Sequence, residues 1–247
     1  MEFFIGDMTA GVFYGIIGVK MCGLASRTGE TPERMLAVCF LGWSVAYLTF
    51  LPFFQHSDGS WPVALSICST LVDAIAYVAC GLFTLAVFRR QEVWARWLIA
   101  MAVACLIGGV SGSFWVGDVE VNSPLNNPFY WLYSGGGVAL FGWLAGETFT
   151  AYAGAMRRWQ LGLCSRMVCN RYLLLGLAAT LWVTVAVLAA SDFIVFGLTG
   201  SWFRPINYLI GVAEFASIVM VWVAFIPPKF YQHWIESAEK RLDGAES

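Results

Sequence analysis

Apolar residues fall into seven stretches along this chain, at about 3–24, 35–54, 62–88, 97–115, 129–155, 172–198 and 205–226. Each is near the roughly 20 residues that carry a helix across the hydrocarbon of a bilayer. The segments between them hold nearly all the charge and many of the turn formers: "SRTGETPER", "QHSDGS", "RRQEVWAR", "GDVEVNSPLNNP", "MRRWQLGLCSRMVCNR" and "TGSWFRP". Thr31-Pro32, Ser60-Trp61-Pro62 and Arg204-Pro205 place proline in or near a first helical turn, where its missing N–H costs nothing, and Pro227-Pro228 ends the seventh stretch. The pattern predicts an all-α integral membrane bundle of seven transmembrane helices over residues 1–227, followed by a cytoplasmic amphipathic tail over 228–247.

Charge then sets an orientation. With the N-terminus outside, one side of the membrane receives 13 of the 14 basic residues, and the other side receives Arg204 alone. Basic residues collect on the cytoplasmic side of membrane proteins, so the chain is expected to run N-terminus outside, C-terminus cytoplasmic. Trp61, Trp115 and Trp202 fall at the outer rim, and Trp94, Trp97, Trp159 and Trp234 at the inner one, as an aromatic belt would. The opening "MEFFIGDMTAGVFYGIIGVKMCG" begins with an acid and lacks a small-x-small site, so it reads as a first spanning helix and not as a cleavable signal. These features fit residence in a bacterial cytoplasmic (inner) membrane.

Composition adds little beyond agreement. Charged residues make up 12% of the chain, about half the roughly 25% usual in soluble domains. No basic patch interleaved with aromatics points to nucleic acid. Three Gly-x-x-x-Gly pairs, Gly11/Gly15, Gly108/Gly112 and Gly142/Gly146, supply close-packing faces, either within the chain or between copies.

Candidate chemistry lies in the carboxyls that the pattern places in hydrocarbon: Asp73, Glu147, Asp192 and Glu214, with no base at their depth but Lys20. Ser66, Ser69 or Thr70, Asp73, Tyr77, Cys80 and Thr84 recur at spacings of three and four, which puts them on one helix face. Asn207, Gly211, Glu214 and Ser217 do the same in the seventh helix, and Thr184, Ser191 and Asp192 add polarity from the sixth. Lone intramembrane acids are expensive and point inward. Asp73, Tyr77, Asp192, Asn207 and Glu214, with Arg204 at the rim and Asp7 near the first helix end, are expected to border an outward-facing polar cavity. That cavity would suit a small cationic ligand or a proton better than an anion. Glu147, nearer the cytoplasm, is a proton-relay candidate.

Exclusions narrow the classes further. The two histidines, His56 and His233, fall on opposite sides of the membrane, which rules out bis-His haem and three-His metal sites. Seven cysteines lack any C-x2-C pair, and no G-x-S-x-G, H-E-x-x-H or P-loop occurs. No cofactor and no enzymatic activity are expected. Helix number, orientation and length are similar to those of the microbial rhodopsins, but "PINYLIGVAEFASIVMVWVAFI" has no lysine to carry retinal, so the likeness ends at layout. The expected function is a receptor-like membrane sensor that signals to a separate cytoplasmic or membrane partner. Docking would use Arg157, Arg158, Arg166 and Arg171 in the longest inner connection. A proton or cation transporter, or an accessory subunit of a larger membrane complex, are the alternatives.

Overall fold

The computed structural model describes residues 2–50, 63–115, 127–196 and 205–243, and among these residues the chain is almost wholly helical, with no strand. The helices are α1 (Glu2–Thr28), α2 (Thr31–Val45), α3 (Val63–Phe88), α4 (Val93–Trp115), α5 (Pro128–Gln160), α6 (Arg166–Phe196), α7 (Pro205–Phe225) and α8 (Lys229–Asp243). Proline stands in the first turn of α2, α5 and α7, and α2 runs on into a π-helical turn over Ala46–Phe50. Asn127 sets the start of α5: its Oδ1 accepts the Phe129 N–H at 3.0 Å, while its amide donates to Ser113 Oγ at 3.0 Å and ties the cap to the end of α4.

Among the described residues, five helices contain a stretch long and apolar enough to cross a membrane: Met8–Thr28, Cys68–Phe88, Val93–Ser113, Arg166–Ser191 and Tyr208–Phe225. This is a helical membrane protein. The expected second and fifth spans are not among these five. The α2 helix has only 15 residues before its π turn, and α5, although 33 residues long, dilutes its apolar residues with Gly, Ser, Thr and Glu147.

Six helices close a ring, with α1 on α2, α2 on α3, α3 on α5, α5 on α6, α6 on α7 and α7 back on α1. The seventh, α4, stands outside that ring in the groove between α3 and α5. Its Ala95, Ile99, Ala102 and Leu106 are buried there, while Val93, Trp97, Met101 and Ile107 face outward. Backbone hydrogen bonds are satisfied inside each helix, which is what an apolar solvent demands.

One sequence expectation is overturned at the basic end. The stretch "MRRWQLGLCSRMVCNRYL" is not a long loop: α5 runs through Gln160, α6 begins at Arg166, and only residues 161–165 connect them. Arg, Met, Leu and Gln are good helix formers, so once clear of the apolar zone both helices simply continue. Arg157, Arg158 and Arg171 are therefore helical positions, and Arg166 opens α6 with its guanidinium 5.3 Å from the Trp159 ring centre.

The glycine pairs divide. Side chains added at Gly11 or Gly15 would strike Tyr47, Leu48 or Ser44 at the end of α2, and at Gly108 or Gly112 they would strike α5, so both pairs are seams within the chain. Gly142 and Gly146 have open space in front of them. The tightest backbone approach is Gly109, where a Cβ would lie 2.7 Å from the Tyr133 nitrogen and 2.8 Å from the Phe129 carbonyl. Gly109→Ala should therefore push α4 off α5 and cost about 1–3 kcal/mol, whereas Gly142→Ala should be near neutral. Unfolding midpoints of the two variants in one detergent check the contrast.

Candidate functional site

Large side chains fill the axis of the helical ring. Trp43 of α2, Phe141 of α5 and Trp182 of α6 lie nearly parallel, with ring centres 5.5 Å (Trp43–Phe141), 5.5 Å (Trp43–Trp182) and 5.6 Å (Phe141–Trp182) apart. The backbones of α2, α5 and α6 that carry them are not all neighbours, since the α2 backbone lies beside neither α5 nor α6 and the contact is made by side chains. Tyr77 of α3 meets the edges of Trp43 and Phe141, and Tyr14 of α1 tilts against Trp43 and Tyr47. Edge-on and offset geometries of this kind are the favourable ones for aromatic rings.

Two carboxyls abut this cluster. Tyr133 Oη donates to Asp73 Oδ2 at 2.7 Å, joining α5 to α3, and the Trp43 side chain also reaches that carboxyl. Tyr47 donates its hydroxyl to Glu214, joining the π turn after α2 to α7. The π turn matters here because its wider coil re-aims the side chains that follow it, and such turns recur at functional sites. Tyr14 is fully buried. Its hydroxyl faces the Trp182 indole without a hydrogen bond of good geometry, and Glu214 lies near it. Among the described residues no Lys or Arg comes within ion-pair distance of Asp73 or Glu214.

Not all the expected site residues gather here. Asp73, Tyr77 and Glu214 do. The shared polar face of α3 is real, with Tyr77 packed in the cluster and Cys80 and Thr84 buried, but Asp73 bonds to α5 and α2, whereas the expected cavity grouped it with acids of α6 and α7. Thr184 is exposed and donates back to its own helix at Thr180. Ser217 is buried and bonds the Ala178 carbonyl of α6 at 3.3 Å, a structural tie between helices. Arg204 lies outside the described residues, as do the side chains of Asp7, Ser66, Asp192 and Asn207. Sequence reasoning passed over Tyr14, Trp43, Tyr47, Tyr133 and Trp182. Nothing in their spacing tells which ring meets which acid.

Glu147 corrects the picture of four unpaired acids. Arg89, just past the end of α3, reaches it with Nε at 2.8 Å, and the Trp143 indole donates to the same oxygen at 3.1 Å. The Arg89 side chain is 36% exposed and that of Glu147 9%, so the pair sits at the edge of the apolar zone, where a long arginine can dip inward. The hydrogen bond and charge of Glu147 raise the Arg89 pKa above its ordinary value. Trp94 completes the group, with its ring 5.7 Å from the Arg89 guanidinium and 6.0 Å from Trp143.

The fold and interior define a class, a helical membrane protein with an aromatic axis and two tyrosine-held carboxyls. Comparison with known proteins adds nothing to that description, for no family model, curated protein or solved structure matches the chain.

Two tests follow from this geometry. A double-mutant cycle of Tyr133→Phe and Asp73→Asn should return a coupling of about 1 kcal/mol, the usual size for an interhelical hydrogen bond in a membrane; chemical unfolding in detergent measures it. Arg89→Ala, which strands the buried Glu147 carboxylate, should lower the melting temperature more than Glu147→Gln, which keeps a partner for Trp143.

Proposed function

We propose that the chain is a receptor-like membrane sensor, with seven spans, an external N-terminus and a cytoplasmic C-terminus, that takes a small cationic or protonatable ligand beside Asp73 and Glu214. One observation carries the reading. Two interior carboxyls without a basic partner among the described residues adjoin a cluster of Trp and Tyr rings, and a buried Tyr14 hydroxyl beside one of them lacks a good hydrogen bond. Aromatic faces and carboxylates together favour organic ammonium ions, whose charge they attract without a full hydration shell. Intramembrane acids of this kind mark ligand or ion sites more often than bare scaffolding.

A sensor also needs a part that moves. Asp73–Tyr133 and Glu214–Tyr47 each join two helices, and a cation competing for either carboxyl changes what holds α3 to α5 or α7 to α2. Such differential contacts are what a ligand must offer to shift a conformational equilibrium. The transporter reading draws less support, because Glu147 is committed to Arg89 and Trp143 instead of standing free as a relay group.

The orientation rests on the collection of basic residues at one end, where α8 also packs against α6, with Phe230 and Trp234 exposed as an interfacial helix requires. Phosphatase fused after Ser123 should be active and fused after Leu163 inactive; the reverse pattern defeats the orientation. For the ligand, a panel of small organic ammonium ions should raise the melting temperature of the purified protein. Asp73→Asn or Glu214→Gln should weaken the best of them roughly 30-fold, the loss of one charge-assisted contact of about 2 kcal/mol. Shifts that are absent, or equal in wild type and variants, would remove the reading.

A further inference from the structure

Where the ring ends on its basic side, a cavity of about 810 Å³ lies between α1, α3, α6 and α7. Lys20, Gly23 and Arg27 line it from α1, and the spacing of three and four puts them on one face of that helix. Arg171 lines it from α6, beside Tyr172. The α1 and α6 backbones do not pack on each other, so these two faces look across the void. Besides the cations the wall includes the apolar Phe83, Phe88 and Phe225.

The electrostatics of this space are one-sided. Three cations border it, no Asp or Glu contributes to its lining, and among the described residues none of the three forms an ion pair. At the same end the fold provides Arg89 with Glu147, so the omission is local. The ordinary preference for basic residues on the cytoplasmic side explains cations at this end; it does not explain why three from two helices border a single void. Like charges bordering one space repel one another, and an anion entering it is attracted by all three.

We propose that this cavity holds an acidic phospholipid, with the headgroup phosphate among Lys20, Arg27 and Arg171 and part of an acyl chain against Phe83, Phe88 and Phe225. Basic pockets between helix ends suit anionic headgroups, and the volume is that of a small-molecule site. A soluble anion would satisfy the cations and leave the aromatic wall bare. Leu24 and Val87, both exposed, add apolar surface to the lining against which a chain can lie. The assignment depends on membrane residence and is independent of the sensor reading.

The test uses the full chain extracted from vesicles of equal phosphatidylglycerol and phosphatidylcholine, with bound lipid counted by native mass spectrometry. Wild type should retain phosphatidylglycerol with a preference of about 10-fold or more. The triple variant Lys20→Gln, Arg27→Gln, Arg171→Gln should lose that preference, while Arg90→Gln with Arg96→Gln, which changes the same net charge type outside the cavity, should keep it. Should the triple variant fail to fold, Gly23→Phe carries the test. A Cβ at Gly23 meets nothing within 4 Å, so the ring fills the cavity without a clash at its base, and it should lower lipid retention with every cation in place. Equal retention of both lipids by wild type, an unchanged preference in the triple variant, or displacement of the lipid by inorganic phosphate alone would each overturn the assignment.

Discussion

Everything in this fold depends on how the centre of the helical ring is filled. In a bilayer the helices gain no hydrophobic advantage by associating, because lipid tails are as apolar as leucine; packing contacts and interhelical hydrogen bonds must hold them. Six helices in a ring leave a central space too wide for backbones to meet, and the α2 backbone indeed lies beside neither α5 nor α6. Trp43, Phe141 and Trp182 span that space by stacking on one another. Rings of this size are the side chains able to reach the axis from three sides and still lose little conformational freedom. The high tryptophan and phenylalanine content of the chain, 12 Trp and 19 Phe, is thus used in the interior as well as at the membrane rims.

That filling decides where polar groups can go. A carboxyl within the ring must find donors among whatever side chains surround it, and here the donors are tyrosines. Asp73 takes the Tyr133 hydroxyl and Glu214 that of Tyr47, each an aromatic ring that packs first and hydrogen-bonds second. Tyrosine combines the two tasks because its apolar body joins the stack while its polar tip reaches an acid. Glu147, nearer the end of α5, lies within reach of the solvent-anchored Arg89 and takes a cation instead. The depth of each acid along its helix therefore selects the chemistry of its partner.

Legibility from sequence followed the same division. Helix positions were readable because a bilayer imposes a length on apolar segments: the expected 62–88 and 205–226 lie within a residue or so of α3 and α7. The inward face of α3 was readable as well, since Asp73, Tyr77, Cys80 and Thr84 share a helical spacing. Neighbour identity was not. Periodicity shows which face of a helix turns inward but not which helix it meets, so Asp73 was assigned to the α6 and α7 side and instead faces α5 and α2. Arg89 escaped notice because it stands in a connection; its Glu147 partner is 58 positions away in the chain. Likewise, the basic stretch after residue 156 read as a loop because charge usually marks loops, yet Arg, Met and Gln sustain helix equally well outside the apolar zone.

The aromatic layer also lies between polar groups of opposite charge type. Along α3, Asp73 and Phe83 are ten residues apart, and along α7 Glu214 and Phe225 are eleven, which is roughly 15 Å of helix in each case. Acids stand on one side of that interval, and the cavity bordered by Lys20, Arg27 and Arg171 opens on the other. Phe225 closes the cavity and also packs against Phe40, which contacts Trp43 and Tyr14, so an unbroken chain of ring contacts runs from the basic cavity to the residues beside Glu214. Packed aromatic rings do not compress; a displaced ring has to tilt or slide its neighbour. The packing that holds the ring of helices together therefore also fixes the ring positions at both ends of the stack.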